Sequence, residues 1–449
     1  MTYDLVIRGG TLVTPAGVAT GDLGVGEGMI REIADELAGG HDEIDARGFL
    51  VVPGAVDAHV HLNDPGRADW EGIATGTAAL AAGGSTTAID MPLNAHPPTV
   101  DAAAFDLKAA RIAESAHVDI ALWGGLVPGN VGRMAELAER GVVGFKAFMC
   151  SSGIDDFAAA DEATLLDGMR EAARLGLPVA VHAESDALTS TLAARAVSEG
   201  RTTMRDFLAS RPVEAELEAI ERALALAEET GCSLHVVHVS SGRGVALVAE
   251  ARARGLDVTC ETCPHYLVLT DEDAERLGAV AKCAPPLRPA AEREALWAAV
   301  ATGELPLIAS DHSPSPPELK QSENAFEAWG GIAGAQTLLA LTLGEGERRR
   351  IPLETLVAAV ASFPARRFAL PGKGALEVGA DADIALVRPD TPWTLTAEHL
   401  RSRHRLSPFI GRQLRHRVVR TLLRGRTVQA DGQIVAEPGG RLVRMRPHC

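Results

Sequence analysis

Two histidines one residue apart, His59 and His61, close the apolar run Val56-Asp57-Ala58-His59-Val60-His61-Leu62-Asn63. Side chains at i and i+2 of a strand point to the same side, so both imidazoles project into one cavity. Two ligands on one metal ion need that arrangement. The plainer alternative is a pair of core histidines satisfied by hydrogen bonds. Four further strand-like stretches decide the matter, because each ends in polar groups that an apolar strand does not otherwise need. They are Gly144-Phe145-Lys146-Ala147-Phe148-Met149, Val179-Ala180-Val181-His182-Ala183-Glu184, His235-Val236-Val237-His238-Val239-Ser240 and Ala309-Ser310-Asp311-His312. Taken singly, His182 or His238 reads as a core histidine, Lys146 as a snorkelling side chain and Asp311 as a turn cap. Five strand ends delivering such groups together predict a metal site. His235 and His312 alternate away from it and are expected to be structural.

Lysine is scarce here, five among 43 basic residues, so one kept at a buried position needs a chemical reason. A protonated lysine has no lone pair and repels cations. Flanked by Phe145, Phe148 and Met149, Lys146 is expected to be desolvated, which lowers its pKa. The neutral amine can add CO2 and become a carbamate whose two oxygens bridge two metals. Arginine cannot do this, because its guanidinium stays protonated. The predicted site places His59, His61 and Asp311 on one ion, His182 and His238 on a second, and carboxylated Lys146 between them. Zinc suits these donors, as do cobalt, manganese and iron. Two such ions roughly 3.5–4 Å apart can share a hydroxide and polarise a carbonyl. Asp311 is placed to take the hydroxide's proton and deliver it to a leaving nitrogen. The reaction class is hydrolysis of an amide-like or phosphoester bond.

The elements that must position these groups follow from the patterning. Residues 1–52 alternate short period-two strands with glycine turns and predict one part of a small β-sandwich. Residues 53–371 alternate eight apolar strands, near 55–62, 85–94, 118–126, 142–149, 178–184, 233–240, 256–263 and 306–311, with helical stretches such as 161–175 and 214–230. That pattern predicts a TIM-like (β/α)8 barrel, whose active site lies at the C-terminal ends of the strands. A doubly wound sheet is the alternative, and no G-x-G-x-x-G follows the first strand to support it. Residues 372–449 return to short strands, including 382–387 and a hairpin over Thr421 to Val435 with its turn at Asp431-Gly432, and complete the sandwich. Arginines between 401 and 426, among them Arg412, Arg415, Arg417 and Arg420, read as a solvated or subunit-contacting face.

Composition excludes several classes. A net charge of −17 argues against nucleic acid and anionic membranes as partners. No apolar run reaches transmembrane length, and Met1-Thr2-Tyr3-Asp4 does not open a signal peptide, so a cytoplasmic protein is expected. The six cysteines are Cys150, Cys232, Cys260, Cys263, Cys283 and Cys449; Cys260 and Cys263 form a lone C-x-x-C in a strand-like stretch, and these two read as reduced thiols.

With these residues in place, the chain resembles the cyclic amidohydrolases of the amidohydrolase superfamily, and among them the allantoinase family. The matching stretches are His59-Val60-His61-Leu62-Asn63-Asp64-Pro65-Gly66-Arg67, Trp70-Glu71-Gly72, Asp90-Met91-Pro92-Leu93-Asn94, Gly144 to Met149, Glu261-Thr262-Cys263-Pro264-His265-Tyr266, Lys282-Cys283-Ala284-Pro285-Pro286, Ser310-Asp311-His312-Ser313-Pro314 and Glu327-Ala328-Trp329-Gly330-Gly331. The resemblance spans essentially the whole chain. It implies hydrolytic opening of allantoin to allantoate in purine catabolism, by a homo-oligomer that is commonly a tetramer. Dihydroorotases carry H-x-H-x-R, whose arginine clamps a substrate carboxylate; Asn63 stands there instead and suits an uncharged substrate. Dihydropyrimidinases and hydantoinases usually place a tyrosine after the lysine, where this chain reads Cys150-Ser151-Ser152-Gly153. For substrate contacts the resemblance points to Asn63, Asn94, Ser313 and the backbone around Cys283, though Asn94 and Ser313 read equally well as turn residues. Cys283 is not expected to be a nucleophile, and Gly330 and Gly331 beside Trp329 are expected to shape a mobile mouth. Two competing readings remain: a dihydropyrimidinase or hydantoinase, and a metal-free structural homologue, which would have lost ligands.

Overall fold

The eight predicted strands are present, and all of them run parallel. In the computed structural model, which describes residues 2–445, they are Ala55–Val60, Ser85–Asp90, Asp119–Leu122 (continued by Gly124–Gly125), Phe145–Phe148, Val179–His182, Leu234–Val236, Val258–Thr262 and Leu307–Ile308. Each pairs with the next in chain order. The ring closes where Val60 bridges His312 and the His61 amide donates to the His312 carbonyl at 2.8 Å. Asp57 adds a second tie, accepting the Ser310 amide at 2.9 Å. The fold is a TIM-like (β/α)8 barrel carrying a small β-sandwich built from both chain ends.

The barrel interior is a packed core. Val56, Ala58, Ile89, Ala121, Trp123, Val143, Ala180, Val237, Leu307 and Ala309 meet there, and Phe368 packs its ring edge-on to Trp123 at 5.1 Å. Outside, helices face the strands through apolar stripes. Glu162–Leu175 is capped by Asp161, which accepts the Thr164 amide at 2.8 Å, and buries Leu165, Met169 and Ala172 at helical spacing. It stops at Gly176, whose φ of 69° an L side chain would resist. Polar groups thus collect at the strand ends, where the interior opens.

In the sandwich, Tyr3–Thr14, Gly17–Gly26, Met29–Ala34, Gly40–Asp45 and Leu50–Pro53 join Ile384–Arg388, Arg417–Leu423, Arg426–Ala430 and Gln433–Ile434 in one nine-stranded sheet. Tyr3–Thr14 pairs with Gly40–Asp45 along its first half and Leu50–Pro53 along its second, with a bulge between Ile7 and Gly10. Ile7, Leu23, Ile30, Val51, Ile384 and Leu422 close over one another as its core. The predicted C-terminal hairpin contains one turn more than its sequence suggested. Arg424 and Gly425, both at positive φ, reverse the chain before Asp431-Gly432 does so again. The arginine stretch is also spoken for internally: Arg412 pairs with Glu345 at 2.9 Å, Arg415 with Asp390, and Arg417 lies over Trp393. Those contacts pair the stretch with neighbouring acids and a ring, while Arg412 and Arg415 stay about a third exposed.

A buried ionic cluster fastens sandwich to barrel. Lys373, only 3% exposed, donates to Asp119 of the third barrel strand at 2.6 Å, to Asp381 at 2.7 Å and to Asp383 at 2.8 Å. Asp119 also receives the Arg424 guanidinium and the Arg441 amide, the latter at 2.8 Å. Three carboxylates drawn this close repel one another unless a cation sits among them, and the ammonium of Lys373 is that cation. Lys373→Met leaves Asp381 and Asp383 without that cation, Asp119 keeping Arg424, and should lower stability by about 3–5 kcal/mol, the usual result of removing one partner of a buried pair. Urea unfolding followed by circular dichroism reads that loss; a shift below 1 kcal/mol would show that the cluster holds little.

Candidate active site

At the open end of the barrel, residues far apart in sequence turn their polar atoms toward one another. His59 and His61, two apart on the first strand, both point Nε2 at Asp311 Oδ1, at 3.3 and 3.5 Å. His182 at the end of the fifth strand and His238 beyond the sixth bring Nδ1 and Nε2 to 3.0 Å. The two sets adjoin, with the His59 and His238 ring centroids 5.4 Å apart. Strand alternation accounts for His59 and His61. His238 and Asp311 need more, since each follows the end of its strand and has left-handed backbone, with φ of 40° and 43°. That conformation costs on the order of 1–3 kcal/mol per residue and is kept where surrounding structure over-determines it.

Lys146 is buried near these groups, within electrostatic reach of Asp311, His182 and His238, and is not part of the cavity lining described below. Its Nζ has no hydrogen-bond partner, lies 4.8 Å from the Phe148 ring centroid, and is brought down to about 7 by burial. Burial likewise holds His61 and His182 below the ordinary imidazole value, and His238 well below it. Neutral imidazoles keep a lone pair free. Asp311 behaves in the opposite way. Burial pushes its pKa up, but His59, His61 and His238 around it outweigh that and hold the carboxyl well below its usual range.

Behind the histidines stand two carboxylates that carried no role in the sequence reading. Glu261 accepts from His59 Nδ1 at 2.6 Å and from His235 Nε2 at 3.1 Å, so His235 is structural in a specific way, as the second support of that carboxylate. Glu184 takes His182 Nε2 at 2.8 Å and the Arg211 guanidinium. Burial opposes ionisation of both, yet the histidines beside Glu261, and Arg211 with His182 beside Glu184, hold each at about 2. These bonds leave the opposite nitrogens, His59 Nε2 and His182 Nδ1, facing the site. Two signals were visible: Glu184 lies two residues from His182 on the same strand face, and Glu261 interrupts an apolar strand. Arg211, between two helices, gave none.

The histidines and Asp311 line a cavity of about 380 Å³ together with Asn94, Cys283 and Ser313. Ser313 Oγ donates to Asp311 Oδ1 at 2.8 Å. Asn63 is not part of the lining; its Nδ2 faces the Pro314 carbonyl at 3.4 Å and its Oδ1 has no partner. Ser151, Ser152 and Gly153 form one wall, Phe207 and Arg211 another, and Phe326 to Gly331 a third. Trp329 meets Trp70 edge-on at 4.8 Å. Lys320 donates to the carbonyls of Trp329 and Gly331 at 3.2 and 2.8 Å, so the expected mobile mouth is tied down along that wall. Cys150, Cys232, Cys260, Cys263 and Cys283 are all buried free thiols, and burial pushes Cys283 up to about 12, which leaves it a poor nucleophile. Cys449 lies outside the described residues. No helix among them is long and apolar enough to cross a membrane.

Comparison with known proteins agrees with this geometry. The amidohydrolase family profile matches residues 50–428. An allantoinase of Rubrobacter xylanophilus is 61% identical over 444 residues, covering 98% of each chain. Another, of Solibacter usitatus, is 52% identical over 442 residues, covering 98% of this chain and 97% of its own. Among solved structures, an L-hydantoinase (dihydropyrimidinase) of Arthrobacter aurescens superposes with a TM-score of 0.96 at 35% identity, over 99% of this chain and 100% of its own. A dihydropyrimidinase of Brevibacillus agri reaches 0.91 at 30% identity, over 99% of each chain. With its strand-end histidines and aspartate at the mouth of the barrel, the chain belongs to the amidohydrolase family.

Proposed function

We propose that this chain is an allantoinase, opening the hydantoin ring of allantoin to give allantoate, and that its site holds two divalent cations. The carrying observation is the convergence of His59, His61 and Asp311 beside the His182–His238 pair, with a buried, partnerless Lys146 near them. The donor set fits the cations: neutral imidazole nitrogens, an ionised carboxylate, and carboxylates behind the rings to fix their orientation. His59, His61 and Asp311 would hold one ion and His182 and His238 the other. Carboxylation of the Lys146 amine by CO2 would give the bridging anion, which accounts for a buried Nζ that meets no acceptor. We assign zinc, with cobalt, manganese or iron as alternatives, in a cytoplasmic homotetramer.

When bound, the two ions supply Lewis acidity toward a carbonyl oxygen and water activated at neutral pH. The chain's own part is positioning and proton movement. Asp311 lines the cavity, and its Oδ2 has no protein partner among the described residues. That oxygen receives a proton from water and returns it to the ring nitrogen as the C–N bond breaks, leaving a carboxylate and an N–H. Ser313 holds Oδ1 meanwhile. Asn94, Ser313 and the backbone around Cys283 line the space the ring would occupy; Asn63 supports the segment carrying Ser313 and Pro314. The choice of allantoin rests on the identity to the allantoinases. The likeness to hydantoinase and dihydropyrimidinase structures favours a second reading, action on other cyclic imides.

Three measurements test this. Metal-replete protein with bicarbonate should hydrolyse allantoin in preference to hydantoin, dihydrouracil and dihydroorotate; preference for another ring would replace the substrate and keep the chemistry. Lys146→Ala should lose bound metal and activity, with partial recovery on adding short-chain carboxylic acids, whereas full activity would sink the carbamate. Glu261→Gln should weaken metal binding about 10–100-fold, since it frees the His59 ring to turn; metal titration against a chelator reads the change.

A further inference from the structure

One cation in the cavity wall is left unused by that chemistry. Arg211 lines the cavity, and its side chain is 19% exposed. Three contacts fix it. Its Nη1 pairs with Glu184, its guanidinium lies over the Phe207 ring 5.7 Å from the centroid, and its carbonyl accepts Arg288 Nη1 at 2.5 Å. Arg288 is anchored in turn, donating from Nε to Ser240 Oγ at 2.9 Å. Nε and Nη2 of Arg211 have no oxygen partner among the described residues. A side-chain hydrogen bond to Cys150 adds a sulfur partner, so the guanidinium is held by its backbone, one face, one edge and that thiol, with no oxygen on its remaining donors beside the cavity.

Its position shows what those donors would meet. Glu184 links Arg211 to His182 Nε2, whereas His182 Nδ1 faces His238. Arg211 therefore stands beyond His182, on the side away from the converging nitrogens. The carbonyl under attack must lie among those nitrogens, so the group that reaches Arg211 belongs to the ring's substituent. The other cation of this wall is already engaged: Lys282 Nζ donates to the Ala328 carbonyl and sits 4.4 Å from the Phe207 centroid. A guanidinium remains charged throughout the working pH range and presents a planar fork to a carbonyl or carboxylate oxygen.

We infer that Arg211 is a specificity-determining residue, its remaining nitrogens binding the carbonyl oxygen of the substituent outside the scissile ring, the ureido group in allantoin. The inference rests on the allantoinase reading. It requires wild-type protein to favour allantoin over unsubstituted hydantoin, which lacks the ureido group. Per metal-loaded site, Arg211→Gln should raise KM for allantoin about 10–100-fold more than KM for hydantoin, the scale of a lost hydrogen bond to a charged group. Arg211→Lys, which keeps the charge beside Glu184, should show the same selective loss. Glu261→Gln is the control, since it loosens His59 without touching Arg211 and should depress both substrates alike. An equal loss on both substrates in the Arg211 variants, or loss of metal with KM unchanged, overturns the assignment, because Arg211 would then act only through His182. Wild-type protein that treats both substrates alike overturns it without any variant. Protein that hydrolyses neither substrate refutes the allantoinase reading first, and this inference with it.

Discussion

Closure of the barrel is the constraint on which the site depends. The first strand finds the eighth through the His61 amide, the His312 carbonyl and the Asp57–Ser310 bond. Those contacts bring Asp311 within 3.5 Å of two imidazoles that precede it by some 250 residues. The fourth to seventh strands each add one or two polar groups near that height, Lys146, His182 with Glu184, His238 and Glu261, because parallel strands in register end at one rim. The apolar interior below, with Trp123 and Phe368 at its centre, leaves the rim as the place where buried polar groups can gather. Packing and chemistry are thus divided along the barrel axis.

Charge balance then sets which groups can be buried at that rim. An unpaired carboxylate in a dry interior is costly, and Glu261 and Glu184 are stable there only because imidazole and guanidinium groups face them. Each pairing has a second effect: a histidine that donates one nitrogen backward must present the other forward. The carboxylates therefore fix both ring orientation and tautomer. Left-handed backbone at His238 and Asp311 supplies what alternation cannot, turning side chains that would otherwise follow the pleat.

Much of this was legible in the sequence, for identifiable reasons. A period of two places His59 and His61 on one face whatever the surroundings, and eight apolar runs separated by helices leave few topologies. His238 was reached by counting strand ends, although its orientation comes from a backbone turn that no propensity reports. Asn63 follows the histidine pair closely in sequence, yet its positive φ of 61° goes with a side chain directed at Pro314, outside the cavity lining. Arg412 and Arg415 read as part of a solvated or subunit-contacting face, and their pairing with Glu345 and Asp390 was not legible because those partners lie in other elements. Arg211 was invisible for the same reason: its meaning comes from Glu184, Phe207 and Arg288, which only the fold assembles.

The division of labour between the two basic residue types sharpens the reading of Lys146. Arginine does the surface work, pairing with carboxylates across and between helices. All five lysines are buried or half-buried. Lys108 meets Asp90 at 2.6 Å, Lys373 meets three aspartates, and Lys282 and Lys320 meet backbone carbonyls along the cavity wall. Each sets a compact point charge against its acceptors. Lys146 shares their burial and lacks their acceptors. A charged ammonium in that position would face desolvation with only the Phe148 ring and the charges of Asp311 and Glu261 in return. The carboxylation proposed above would instead put an anion there, the charge that cations held by these histidines would favour.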